Sequence, residues 1–349
     1  MRSTVLSIYL ITITCALNTF RNVVPPARNA SLSTTPLGPT IKVKATDTNL
    51  STDPFIHPSF SIHTTILPTR LKATPLFLTA VHAARELALS DLNARQPEKD
   101  YHYTFSEDVT IYIRGWPTRT IGRNYAMWGL VLCVTSLTDM KVVNALLCKL
   151  KMGQRQVGTV AIVGPHDPGL DILAAEGDDV PSNKTLNATF SPLQSAMAKR
   201  SVLPLSNDRP GHLQVLAAFT DEKTNIREWF VSVVGGICYA GQFPYDNEVD
   251  GYDLRITDAG TGIKVRASDE TTITFRYQDL INAIVVLVSE TLANAKQVGA
   301  FMGVMAKISW FVRGGKGGIE VLGAVWIYHN QEPDSKVGDQ SLPLMIDMS

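Results

Sequence analysis

Residues 60–163 and 212–328 carry the same succession of apolar patterns, so whatever fold one stretch adopts, the other should adopt as well. In the first, residues 60–67 read as a strand ended by Pro68, and residues 75–93 as a helix. Thr74 can cap that helix, Pro75 suits its first turn, and Leu76, Ala80, Ala84, Leu87 and Leu92 recur near helical spacing. Residues 109–116 alternate Ile111 and Ile113 against Tyr112 and Arg114, as a half-buried strand does. A short apolar helix at 125–134 follows, then a hairpin of 142–150 with 156–163 around Met152, Gly153 and Gln154.

The second stretch repeats the order. Residues 212–219 read as a strand, and 222–239 as a helix with Ile226, Trp229, Phe230, Val233, Val234 and Ile237 on one face. Short strands at 254–256 and 263–266 precede a helix at 277–293. A hairpin of 304–313 with 319–328 closes the unit around the glycine run Gly314 to Gly318. Val81 and Phe230 lie 149 positions apart, as do Trp128 and Tyr277, whereas Gly158 and Gly323 lie 165 apart (230 less 81, 277 less 128, 323 less 158). The second unit would therefore carry an insertion after its second helix. Residue identity between the stretches is low, so a duplication and a shared order reached by chance both fit. The expected fold is α+β: two similar tandem units, each a small, mostly antiparallel sheet covered by two helices. Continuous strand–helix–strand alternation is missing, which disfavours a doubly wound parallel sheet.

Between the units, residues 165–209 are dense in Pro, Gly, Asp, Ser and Asn, the composition of a linker. The division expected is a leader at 1–16, a Ser/Thr/Pro-rich arm at 17–58, a first unit at 59–164, the linker at 165–209, a second unit at 210–330 and a tail at 331–349. On this reading the units are separable, each with its own core, and can still pack face to face.

The leader rests on Arg2, on the apolar residues 5–17 and on the small residues Thr14 and Ala16 at the −3 and −1 positions of a cleavage site. An apolar run of this length suits a secretory signal peptide and falls short of the ~20 residues of a transmembrane helix; an uncleaved anchor or a buried N-terminal strand are the alternatives. The sequons at Asn29, Asn49, Asn183 and Asn187 fall in the arm and the linker, consistent with a secreted glycoprotein. Lys199-Arg200 is a dibasic candidate for processing, set against a solvated helical face as the plainer reading. Lys plus Arg and Asp plus Glu both count 32, so no net field steers the chain toward nucleic acid. After loss of Cys15 the cysteines are Cys133, Cys148 and Cys238, each among apolar neighbours. Buried thiols are the expected state, with a Cys133–Cys148 bridge as the competitor.

No familiar catalytic pattern emerges. There is no Gly-x-Ser-x-Gly elbow and no His-x-x-x-His pair; His57 and His63 stand six apart, and His82 sits beside the apolar face of the first helix. The run around Lys316 departs from a phosphate-binding loop, because glycine follows the lysine and strands flank it; with Arg313 it forms a cationic hairpin tip. Asp108, Asp139, Asp253 and Asp279 are read as turn or cap residues before they are read as paired acids. Trp116 and Trp128 suit sugar stacking, but core placement is the plainer reading.

Tyr125-Ala-Met-Trp128-Gly-Leu and Thr274-Phe-Arg-Tyr277-Gln-Asp-Leu each precede an apolar helix and a hairpin bearing Val157-Gly158 or Leu322-Gly323. This pattern resembles one in secreted proteins of filamentous fungi to which no activity is assigned, and it implies secretion without supplying catalytic residues. The function expected is therefore that of a secreted, non-catalytic protein, binding or surface-associated, with an extracellular glycan or protein as partner and no cofactor. The alternative is a secreted hydrolase with a dispersed active site.

Overall fold

The computed structural model describes residues 11–13, 56–90, 100–164 and 211–329, except for positions 107, 118–119, 139, 141, 256–260, 270 and 312–318. The first unit runs β2 (Phe60–Arg70), α1 (Ala73–Leu89), β3 (Asp100–Ser106), β4 (Val109–Gly115), α2 (Arg123–Thr135), β5 (Asn144–Met152) and β6 (Arg155–Val163). The second runs β7 (His212–Lys223), α3 (Ile226–Ala240), β8 (Tyr252–Arg255), β9 (Thr261–Ala267), α4 (Tyr277–Val298), β10 (Met302–Phe311) and β11 (Ile319–His329). The spatial strand orders are β2-β5-β6-β4-β3 and β1-β7-β10-β11-β9-β8, where β1 (Ile11–Ile13) is an edge strand on β7, with every neighbouring pair antiparallel. Apart from β1, the two orders are the same strand for strand. The fold is α+β, built as two similar tandem units.

The likeness extends to irregularities. In β5–β6 the register slips after the pair Leu150–Gly158, and in β10–β11 after Ile308–Gly323. Both glycines are required by close approach. A Cβ on Gly158 would lie 2.6 Å from the Arg114 carbonyl oxygen and 2.7 Å from the Ile121 side chain, and one on Gly323 would meet the Arg266 carbonyl and the Phe275 ring. Gly158 and Gly323 are thus equivalent, as are Ile121 and Phe275, the residues that lead into α2 and α4. This corrects part of the sequence alignment. Arg123 and Tyr277 both open helices, so Trp128 is not the counterpart of Tyr277. The spacing for β2–α1 and β7–α3 is 153, not 149, and it matches Phe77 with Phe230 (230 less 77; 223 less 70 at the strand ends).

The helices lie between the two sheets, with α1 against α3 at the centre. Phe77 stacks on Phe230 at 5.0 Å with their planes 4° apart, and Ala88 abuts Gly241. Each pair joins equivalent residues, since 241 less 88 is also 153. Equivalent residues meet themselves on a two-fold axis, so a pseudo-dyad runs along the parallel α1–α3 pair. One apolar cluster extends from Phe60 through this contact to Ile327. The described residues of both units thus share one apolar cluster, where the sequence reading has a core for each. Small residues let α1 and α3 approach, and their apolar faces bury one another as well as the sheets.

Local differences from the sequence reading have plain causes. β3 was not expected; Tyr101 and Tyr103 point inward from an otherwise polar strand whose partner is β4. Residues 222–223 extend β7, and α3 opens after Asn225, whose side chain accepts from the Arg227 backbone N–H. Within the expected leader, Ile11–Ile13 form β1, which pairs with β7 from Ile11–Val215 to Ile13–Leu213. Cleavage after Ala16 would remove that strand and leave β7 as the edge of its sheet.

Cys133 and Cys148 form a disulfide, which overturns the buried-thiol reading for that pair, while Cys238 is a buried free thiol whose ionisation burial suppresses. The bridge ties α2 to β5 across 15 positions. A loop of that size is worth about 3 kcal/mol in denatured-state entropy. Reduction, or Cys148→Ser with Cys133→Ser, should lower denaturant stability by about that amount. A change below about 1 kcal/mol would show that the bridge adds no constraint of its own.

Candidate functional site

The expected glycosylation sites Asn29, Asn49, Asn183 and Asn187, the processing residues Ala16, Lys199 and Arg200, Asp139, and the Arg313–Lys316 tip all lie outside the described residues. The described candidates are dispersed. Asp108 pairs with Lys72 at 3.1 Å on the surface. Asp279 accepts from the Arg276 backbone N–H at 3.1 Å as a helix cap. Trp128 is core at 4% exposure, packed edge-on to Phe60, whereas Trp116 is 38% exposed. His82 lines a cavity of about 10 Å³ with Leu78, Phe105 and Val285, the size of one water, and burial lowers its pKa.

A hydroxyl, an imidazole and a carboxylate do converge where α3 meets the ends of β9 and β11. The Thr261 hydroxyl donates to Glu228 Oε2 at 3.0 Å, and His329 Nδ1 lies 2.9 Å from the Thr261 hydroxyl oxygen and 3.7 Å from Glu228 Oε2. A nucleophilic triad needs the hydroxyl to give its proton to the imidazole, with the acid behind the ring. Here the carboxylate takes the hydroxyl proton, so His329 is the donor to Thr261. Thr261 is 0% exposed, and Ser232 donates to its carbonyl at 3.0 Å. The group closes the polar end of the sheet–helix layer. It does not present a nucleophile.

The outward face of the second sheet is different in kind. In β9, β10 and β11 the alternating residues Ile263, Val265, Ala306, Ile308, Val325 and Ile327 are buried against the helices. Their neighbours Lys264, Arg266, Lys307, Ala324 and Trp326 must therefore face outward. Register sets them in rows across the strands: Lys307, Ala324 and Arg266 in one, and Met305, Trp326, Lys264 and Asp253 in the next. Neighbouring strands lie about 4.8 Å apart, so Lys307 and Arg266 stand about 10 Å apart at the backbone with only an alanine methyl between them. Two long cationic side chains at that separation can converge on one anion above Ala324. Neither meets a carboxylate among the described residues, whereas Lys264 is held by Asp253 at 3.6 Å.

One end of this face is fixed by an aromatic strut. The Tyr328 ring lies flat across Gly262, where a Cβ would come within 2.8 Å of the ring. Its hydroxyl donates to Asp253 Oδ1 at 2.5 Å and accepts from Arg255 Nε at 3.2 Å, with the Arg255 guanidinium 5.2 Å over the ring. Burial, then the bond to Asp253, push the Tyr328 pKa up to about 12. Tyr328 thus stays a neutral donor and holds Asp253 and Arg255 in place. Trp326 is half-buried, and its indole N–H is covered without an acceptor among the described residues.

Of these residues, only Asp253 was singled out in the sequence, and as a turn residue. Lys264, Arg266, Lys307 and Trp326 come from three strands and meet only through pairing. The legible signal was the alternation within each strand, which places charge and Trp326 on the face opposite the core. No family model, curated protein or solved structure matches the chain. Among the described residues no helix is long and apolar enough to cross a membrane.

Proposed function

We propose that this chain is a secreted, non-catalytic binding protein that takes an anionic glycan on the outward face of its second sheet. The observation that carries this reading is the Lys307–Ala324–Arg266 row with Trp326 beside it. Sugars with carboxylate or sulfate groups combine an apolar ring face, which stacks on indole, with charges that suit Lys and Arg. Trp326 lies two residues from Ala324 along β11, about 7 Å, the separation of a ring from the anionic group of its neighbour. The leader and sequons read from the sequence support an extracellular setting, where such polymers occur. An acidic protein and a nucleic acid share the charge requirement but not the aromatic platform for a sugar ring.

Isothermal titration with a short oligogalacturonate, set against a neutral oligosaccharide of the same length, tests the reading. The charged oligomer should bind and the neutral one should not, and Lys307→Ala with Arg266→Ala should weaken binding at this face by about tenfold or more, the equivalent of about 1.4 kcal/mol. Trp326→Ala should weaken it further at constant salt dependence, because it removes stacking and leaves the charges in place. Failure to bind any carboxylated or sulfated oligosaccharide, or binding unmoved by all three changes, would overturn the proposal. Preference for an acidic peptide or single-stranded DNA over every glycan would overturn it in favour of that partner.

A further inference from the structure

The row that carries Trp326 ends on an ion pair that the fold does not require. Across the strands it runs Met305, Trp326, Lys264 and Asp253, each step about 4.8 Å. Gly158 and Gly323 are equivalent, so the first sheet has Ala161 where the second has Trp326, and its row continues through Tyr112 to His102. Those two rings stack at 4.6 Å. The same fold thus accepts a pair of stacked rings at the positions that Lys264 and Asp253 hold in the second sheet.

Asp253 is fixed from two sides. Its Oδ1 accepts from the Tyr328 hydroxyl at 2.5 Å, and Tyr328 is wedged across Gly262 with the Arg255 guanidinium over its ring. Its Oδ2 lies 3.6 Å from Lys264 Nζ, too far for a hydrogen bond but close enough to offset the charge of the ammonium. The Lys264 and Asp253 side chains are 19% and 29% exposed, so the pair reaches the surface beside Trp326. The face is therefore asymmetric about the indole. Toward Ala324 it offers Lys307 and Arg266, whereas toward β8 it offers a neutralised lysine and then an immobilised carboxylate.

We infer that Asp253 is the specificity-determining residue of this face, admitting glycans with one anionic group per sugar and rejecting densely sulfated ones. The inference rests on the reading proposed for the second sheet. A uronate chain with one ring on Trp326 sets a single carboxylate over Ala324, between Lys307 and Arg266. A ring that bears several sulfates turns one of them toward β8 as well. There the Asp253 carboxylate repels it, and Lys264 has no net charge to offer in return. Selectivity of this kind comes from the unfavourable contact as much as from the favourable one. Asp253→Asn keeps an oxygen for the Tyr328 hydroxyl and removes the charge, which restores Lys264 as a third cation beside Trp326.

Titration with an oligogalacturonate tetramer and with a heparin tetrasaccharide, which carries several sulfates, tests this role. The wild type should bind the oligogalacturonate more tightly. Asp253→Asn should strengthen heparin binding by about tenfold or more and oligogalacturonate binding by clearly less, so that the preference narrows or inverts. The gain with heparin should grow as salt is lowered. Lys264→Ala added to the same variant should abolish that gain, a reversal that loss of a merely structural contact would not produce. Circular dichroism of Asp253→Asn should match the wild type. Equal gains for both oligomers, no gain with heparin, or a gain that survives Lys264→Ala would overturn the role of Asp253 and leave the proposed function standing. A wild type that prefers heparin from the outset would do the same. Binding of neither oligomer would remove both readings.

Discussion

Phe230→Ala is expected to lower the unfolding free energy by about 3–5 kcal/mol, and to do so in one cooperative transition that both units share. Phe230 and Phe77 are fully buried and stacked on the pseudo-dyad, and Phe230 also meets Trp229 edge-on at 5.1 Å and Phe301 at 5.8 Å. Truncation removes the ring's transfer energy and opens a void where two sets of helices meet, and backbones held by two sheets cannot collapse into it. Phe77→Ala should cost a similar amount. The double variant should fall short of the sum, because each single change already breaks the same stack. Denaturant unfolding followed by far-ultraviolet circular dichroism and by tryptophan fluorescence gives the measurement. Trp128 reports on the first unit and Trp229 on the second, so the two probes should coincide. Separate transitions in the wild type, or a loss below about 1 kcal/mol in Phe230→Ala, would show that the units hold independent cores.

The sequence carried the element order well because each long element has a strong period. Ile226, Trp229, Phe230, Val233 and Ile237 mark α3, and Ile111 and Ile113 mark β4, whichever neighbours they find. It also placed the equivalence of Gly158 and Gly323, because a glycine demanded by a register slip leaves a visible residue. The four-residue misalignment of α1 with α3 had a physical origin. A helix repeats its apolar face about every four residues, so a slip of that size preserves the pattern and periodicity cannot detect it. The strand β3 was missed because its inward residues are tyrosines among polar neighbours, and its core placement depends on pairing with β4. The shared core was illegible for a related reason. The linker composition signals a break in the chain, whereas the α1–α3 contact is set by surfaces that both already have an apolar face to bury against a sheet. The Lys307–Ala324–Arg266 row was least legible, since each of its residues lies on a different strand.

Arg123→Leu should cost about 4.5 kcal/mol, from three hydrogen bonds made by a charged donor at about 1.5 kcal/mol each. Arg123 is the first residue of α2, and its guanidinium reaches the C-terminal ends of both central helices. Nε donates to the Leu87 carbonyl, and Nη2 to those of Ala88 and Gly241. Ala88 and Gly241 are equivalent across the pseudo-dyad, so one side chain on the axis serves both units. The carbonyls at a helix end lack intrahelical partners and carry partial negative charge, and here two parallel helices present theirs together. A single planar cation satisfies both. The equivalent position in the second unit is Tyr277, which carries no charge and stacks on Phe243 at 4.5 Å. Arg123→Lys should recover less than half of the loss, because an ammonium keeps the charge but not the fork that spans the two helices. Amide exchange should quicken at the ends of α1 and α3 together in Arg123→Leu. Faster exchange confined to residues 87–90, with residues 240–243 unchanged, would show that Arg123 caps its own unit only, leaving the stacked phenylalanines to join the halves.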